Sequence, residues 1–281
     1  MTLASDWVAP KMPPGQPSVG NTQAEVRVSL TRPAPAGCCI VELKVDIPDP
    51  KSGGHDHGLI NDGRPKGSIS PTNVSFSSGE TEKTATYTSS EVSGTEEIIL
   101  TVRGTEKEIK KYIDVKVKGL HPMPGGMYYV LVGSPKSNDP CRFVPPTSQH
   151  NENHYGTWNL IYAVKQIARK YASQSTTPYI NLRVNDMSLP GGGAFDVYNH
   201  WLADTTAPQC KQKGHGHCTH RLGINADIGF VGWEFMSLDN NRCVGLDKKV
   251  LFKIIRDVTG IPPYIHSDHY HIYSTAIRRR K

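Results

Sequence analysis

A chain of 281 residues with 37% hydrophobic and 21% charged residues holds enough apolar material for two ordinary domains, which excludes a disordered protein. Its 26 glycines and 21 prolines point to a loop-rich globular fold. A net charge of +6 suits a polyanionic neighbour such as a cell wall, or simply solubility; no apolar run of about 20 residues exists to span a membrane, and the basic tail Arg278–Lys281 is too short to read as a nucleic-acid patch.

Residues 1–22 are rich in Pro and Gly and read as a loose arm. The opening MTLASDWVAPKMPPGQP has neither an apolar centre nor a cleavage signature, so no signal peptide is visible. Alternation then takes over. In AEVRVSLT, Val26, Val28 and Leu30 share one face, and CCIVELKVDI sets Val41, Leu43, Val45 and Ile47 against Ile40, Glu42 and Lys44. NVSFSS, KTATYTSS, EEIILTVRG and KYIDVKVKG follow, each short, rich in β-branched residues and bounded by turn formers. The pattern predicts an all-β, immunoglobulin-like sandwich. His55–His57, in a Gly-rich loop, reads as solvated polarity or a weak metal site. Gly119–Gly126 reads as a linker, giving domains 1–121 and 122–281.

Beyond the linker the period changes. Leu160, Ile161, Val164, Ile167, Ala168 and Tyr171 recur at helical spacing, with Thr157 or Asn159 as the start. YINLRV predicts a strand and NDMSLPGGGAFD a loop. LDKKVLFKIIRDVTG predicts a second helix, with Asp247 as N-cap, Gly260 as stop and a stripe of Val250, Leu251, Ile254, Ile255 and Val258. PPYIHSDHYHIYSTAI returns to alternation. These elements predict an α+β domain, two helices packed on a small sheet.

Seven of the 12 histidines fall between positions 200 and 271. On a strand His269 and His271 project from one face. His220 and Asp227 stand an odd number of residues apart, so they converge only if the chain turns at Gly223 and Asn225. Two imidazoles and one carboxylate suit Zn²⁺ and leave the fourth tetrahedral position to water, the arrangement of a catalytic zinc. Such an ion acidifies its water and polarises a carbonyl. A histidine with a pKa of about 6.5 that does not bind the metal then suits proton transfer, and His269 is placed for it. A structural zinc or a buried polar network would use His220, Asp227 and His271 equally, and His269 could be an exposed strand histidine. Asp268 reads as a group orienting an imidazole or as an ordinary surface carboxylate.

Six cysteines permit 15 pairings. Cys38 and Cys39 are expected not to bond to each other, because a strand would point them to opposite faces. Cys218 is expected in a disulfide with Cys210 or Cys243, although its thiolate could compete for zinc. Trp201 and Trp233 read as core or groove residues.

NDMSLPGGGAFD, HCTHRLGINADI and HSDHYHIY, over residues 180–275, resemble the motifs of the penicillin-insensitive murein endopeptidases. Those enzymes stand in a wider group with lysostaphin, the D-Ala-D-Ala peptidases and the hedgehog signalling domain, which shows H-x(6)-D and a later H-x-H. The resemblance implies His220, Asp227 and His271 as zinc ligands, His269 as catalytic base, His266 as a second active-site histidine and His217 as an accessory group. It also implies a small antiparallel sheet at the catalytic core and cleavage of an amide in peptidoglycan peptides, in a secreted or periplasmic setting. The N-terminal sandwich falls outside the match. It is expected to hold a wall, a partner or a delivery machine, and a wall-degrading centre without a visible leader suggests an injected effector or phage-type protein. The alternative is a zinc-stabilised binding or signalling protein that acts through the sandwich.

Overall fold

The computed structural model describes residues 1–12, 18–49, 51–54, 64–133, 152–174, 180–194, 220–234 and 242–274. The chain divides into two compact units, Met1–Gly53 with His57–Lys118, and Gly54–Asp56 with Gly119–Lys281.

In the first unit the strands are β1 (Thr2–Leu3), β2 (Trp7–Val8), β3 (Gln23–Ser29), β4 (Ile40–Asp46), β5 (Ser68–Ser70), β6 (Asn73–Ser75), β7 (Glu82–Thr88), β8 (Gly94–Val102) and β9 (Glu108–Val115). They form a four-stranded sheet, β1-β3-β7-β5, and a five-stranded one, β2-β9-β8-β4-β6. Period-2 alternation does the sorting. Ala24, Val26 and Val28 from one sheet meet Val41, Leu43 and Val45 from the other in a single core, while the intervening charged residues stay outside. The first residues are no loose arm. β1 pairs with β3 and β2 with β9, because Val8 and Ala9 have apolar places to fill and are buried. Cys38 and Cys39 are disulfide-bonded to each other, against the expectation from strand parity. They precede β4 in a turn where Cys39 takes a left-handed φ of 74°, so a strand's opposite faces do not apply.

β8 carries two buried acids, Glu96 and Glu97. Glu97 meets Lys110 at 3.1 Å. Glu96 accepts from the Tyr87 hydroxyl at 2.8 Å, the Gly67 N–H at 2.8 Å and the Ser90 hydroxyl at 3.1 Å, which ties the two sheets together. Burial holds its carboxyl above the ordinary value, against those bonds and nearby Arg64. A raised group binds its proton more tightly folded than unfolded. Its contribution is therefore fully present below the unfolded pKa of about 4.3 and is lost as pH rises through the folded value. Denaturant unfolding of wild type and Glu96→Gln at a series of pH values should show the wild type losing stability relative to the variant as pH rises from about 4 towards 7.

The second unit holds β10 (His121–Pro122), β11 (Tyr129–Leu131), β12 (Tyr155–Gly156), α1 (Trp158–Gln174), β13 (Ile180–Val184), β14 (Asn225–Gly229), β15 (Val231–Glu234), β16 (Arg242–Gly245), α2 (Lys248–Thr259), β17 (Tyr264–Ile265) and β18 (His269–Tyr273). Its main sheet runs β16-β15-β13-β14-β18-β17, with β11 beside β13. The sheet is larger than the small one expected, and it is mixed, since β11 and β13 run parallel. Thr157 starts α1, its hydroxyl accepting from Leu160 N–H at 3.3 Å. Asp247 caps α2, accepting from Lys249 and Val250 N–H at 3.0 and 3.1 Å, and Gly260 ends it at φ 75°. Removing that cap with Asp247→Ala should destabilise the chain by about 1 kcal/mol in denaturant titration.

Parity sorts this sheet as well. Leu182, Val184, Ala226, Ile228, Tyr270 and Ile272 join Leu160, Val164, Ile167, Leu251 and Ile255 of the two helices in one core. The alternate residues Arg183, Asn225, Asp227, Gly229, His269, His271 and Tyr273 therefore share the opposite face. One apolar face anchors the sheet and one polar face is left for chemistry.

Candidate metal centre

The polar face is built from adjacent strands. Asp227 of β14 lies directly opposite His271 of β18, and His271 lies opposite Tyr264 of β17. On the other side of β14, Asn185 donates its N–H to the Asp227 carbonyl at 2.9 Å. His220 arrives from outside the sheet, on the 3-10 turn His220–Leu222. Gly223 follows at φ 64°, the turn that the odd spacing to Asp227 required.

Asp227 sits at the centre. Its Oδ1 is 2.7 Å from His271 Nδ1, and its Oδ2 is 3.4 Å from His220 Nε2 and 3.5 Å from His269 Nε2. His220, Asp227 and His271 are all buried. Burial pushes the Asp227 carboxyl up, but the two imidazoles outweigh it and hold the group well below the usual carboxylate range. Burial likewise pulls His220 down, and the Asp227 charge reverses this and leaves it raised. His271 ends lowered by burial, against its hydrogen bond to Asp227.

Metal-capable atoms of His220, Asp227 and His271 lie within 4.8 Å of one another. That separation is comparable with twice a zinc–ligand bond of about 2.1 Å. Neutral imidazole and carboxylate are sound ligands for a borderline divalent cation, and burial would shield the ion from competing water. The group could hold a metal ion.

His269 lies on the same face two residues before His271, 21% exposed, with Nδ1 2.8 Å from Asp268 Oδ1. An Asp268 carboxylate only accepts, so Nδ1 is the donor of that bond and Nε2 is left facing Asp227. His266 joins it by a route that strand parity hid. Ser267 and Asp268 form a hairpin turn closed by His266 N–H donating to His269 O at 3.0 Å. The two imidazoles stack at 4.3 Å with 18° between planes.

Pro190–Gly193, inside the loop predicted over NDMSLPGGGAFD, packs beside the His220–Leu222 turn. Gly193 donates its N–H to Arg221 O at 2.9 Å, and residues 191–194 are buried. Sequence reasoning found no role for Asp186. Its carbonyl accepts from the Asp227 N–H at 3.0 Å and its carboxylate from Asn153 at 2.7 Å, so it positions the strand that carries Asp227. Arg183 and Tyr273 also went unnoticed, though strand parity applied to β13 and β18 finds them; Tyr264 meets His271 only through the pairing of β17 with β18. His217, Cys218, Cys210, Cys141, Trp201 and His55–His57 lie outside the described residues, as does the Trp233 side chain. Cys243 is disulfide-bonded.

No family model, curated protein or solved structure matches the chain. No helix among the described residues is long and apolar enough to cross a membrane.

Proposed function

We propose that the C-terminal unit is a zinc-dependent peptidase that hydrolyses an amide bond in cell-wall peptides. The observation that carries this reading is the buried His220–Asp227–His271 group with a fourth imidazole, His269, facing Asp227 at 3.5 Å. Zinc held by the three residues would activate a water molecule and polarise the amide carbonyl. His269 takes the proton released on attack and passes it to the departing amine, with Asp268 fixing its tautomer. His266, stacked on His269, supplies a donor beside the developing oxyanion. A closed structural zinc would more often use cysteines, and among the described residues this donor set contains none.

The resemblance of the three motifs to murein endopeptidases supports peptidoglycan as the substrate, and therefore a secreted or periplasmic site of action. We read the first unit, two sheets around one core, as an immunoglobulin-like sandwich that holds the enzyme to a wall or a delivery partner. The test is digestion of purified peptidoglycan by the zinc-loaded full chain, with the muropeptides resolved by mass spectrometry. New amine and carboxyl ends at one class of amide are expected. An unchanged muropeptide profile at full zinc occupancy would overturn the assignment.

A further inference from the structure

α1 and α2 cover one side of the sheet of the second unit, while Asp227, His269 and His271 stand on the other. The inner sides of the two helices are the apolar stripes that complete the core. Their outer sides are strongly basic. α1 holds no aspartate or glutamate in its 17 residues. Trp158, Tyr162, Lys165 and Arg169 recur three or four positions apart, so they form one outward stripe, and all four are exposed. α2 presents exposed Lys249 and Lys253 from the side opposite buried Leu251, Ile254 and Ile255. The Tyr171 hydroxyl of α1 accepts from the Asp247 N–H at the start of α2, at 2.8 Å, so the helices adjoin and their outer sides lie in one layer. The carboxylates of this layer are committed. Asp247 caps α2, and Asp257 lies 4.0 Å from Arg256.

Two large rings stand in water beside these cations. Trp158 is 61% exposed and Tyr162 55%, where rings of this size are normally covered. Trp158 stacks on the His121 imidazole, with centroids 4.3 Å apart and planes 20° apart, which holds the indole in place. Trp and Tyr combine an apolar body with a polar tip, and they settle where headgroups meet water. Lys and Arg are drawn to the negative potential of anionic headgroups. The shape of the face selects between polyanions. Single-stranded nucleic acid is held along a groove, with rings spaced to take successive bases. Here a helix about 25 Å long lies beside a second about 9 Å away, which spreads the cations over two dimensions and leaves the rings at one end. Such a face matches a plane of negative charge.

We propose that the outer face of α1 and α2 docks on an anionic phospholipid bilayer. Lys165, Arg169, Lys249 and Lys253 meet the headgroup phosphates, and Trp158 and Tyr162 sit at headgroup level. The docking is peripheral, and it turns the candidate metal group away from the lipid. It does not depend on the peptidase reading.

The test is flotation of the full chain with vesicles of phosphatidylcholine alone or with about 30% phosphatidylglycerol. Wild type should float with the anionic vesicles only, and raising salt from about 0.05 M to about 0.5 M should release it. A basic residue held at an anionic surface contributes about fivefold to partitioning, so Lys165→Gln with Arg169→Gln should weaken binding about 25-fold. Gln is as good a helix former as Lys or Arg, so this pair keeps the fold. Lys44→Gln with Lys66→Gln removes the same charge from exposed positions of the first unit and should leave binding unchanged. Tryptophan emission should shift to the blue on the anionic vesicles, and Trp158→Phe should abolish the shift without altering circular dichroism. No flotation with the anionic vesicles at low salt, equal flotation with both vesicle types, or an equal loss from the Lys44 and Lys66 pair overturns the proposal. Tighter binding to a single-stranded oligonucleotide, lost in the Lys165 and Arg169 pair, also overturns it and assigns the face to nucleic acid.

Discussion

Asp227→Asn should cost the protein its metal. Competition against a chromophoric chelator is expected to show zinc binding weakened by at least about a hundredfold. Asn preserves the shape of the side chain, so the loss reports on charge and donor quality. Asp227 is the one anion in the proposed ligand set, and it touches His271 at 2.7 Å and His220 at 3.4 Å. The substitution reaches the metal-free chain as well. Burial pulls the His220 pKa down, and the Asp227 charge is the largest of the effects that raise it, with Asp186 adding to it. With the charge gone, the largest effect opposing burial is lost, and the two imidazoles share one neutral amide oxygen in place of a two-oxygen carboxylate. Breaking a buried charged network from one side costs about 3 kcal/mol, which denaturant titration without zinc would detect. Wild-type zinc affinity in this variant would remove Asp227 from the ligand set.

The two units differ in how much of them the sequence shows. Alternation in β3 and β4 exposes the core of the first unit directly, since each strand has one wet face. β8 is harder to read, because burial on both faces puts Glu96 and Glu97 among apolar residues, and only their partners on other strands explain them. The short β1 and β2 carry too few residues to show any period. Cys38–Cys39 was misread by extending a strand one turn too far. At the candidate metal group, spacing within one strand was legible: His269 and His271 share a face, and Gly223 supplies the turn between His220 and Asp227. What the sequence withheld was register. That Asp227 faces His271 and that Gly229 faces His269 both depend on which strands lie side by side. Parity alone sets His266 on the opposite face unless the chain bends at Asp268, so only the resemblance placed it at the site. Parity presumes a straight strand, and the chain reverses at Ser267–Asp268.

His269→Ala should separate chemistry from metal binding. We expect kcat on peptidoglycan peptides to fall by about 10²- to 10⁴-fold while zinc stays bound at near wild-type affinity. His269 stands outside the three-residue metal group, yet its Nε2 faces Asp227 at 3.5 Å and its Nδ1 is fixed by Asp268 at 2.8 Å. An imidazole held in this way has one nitrogen committed and the other available, as proton transfer needs. A structural role predicts something different. The ring is 21% exposed and outside the apolar core, so losing it should change stability little. Rate and affinity are therefore expected to diverge, and calorimetric zinc titration beside peptide turnover measures both on one sample. Parallel loss of zinc and turnover would make His269 a ligand. Full turnover in the variant would move the proton-carrying role elsewhere, with His266, stacked 4.3 Å away, next in line. A wild type that binds zinc but cuts nothing would favour a zinc-stabilised binding protein, for which the His269 substitution has no rate to change.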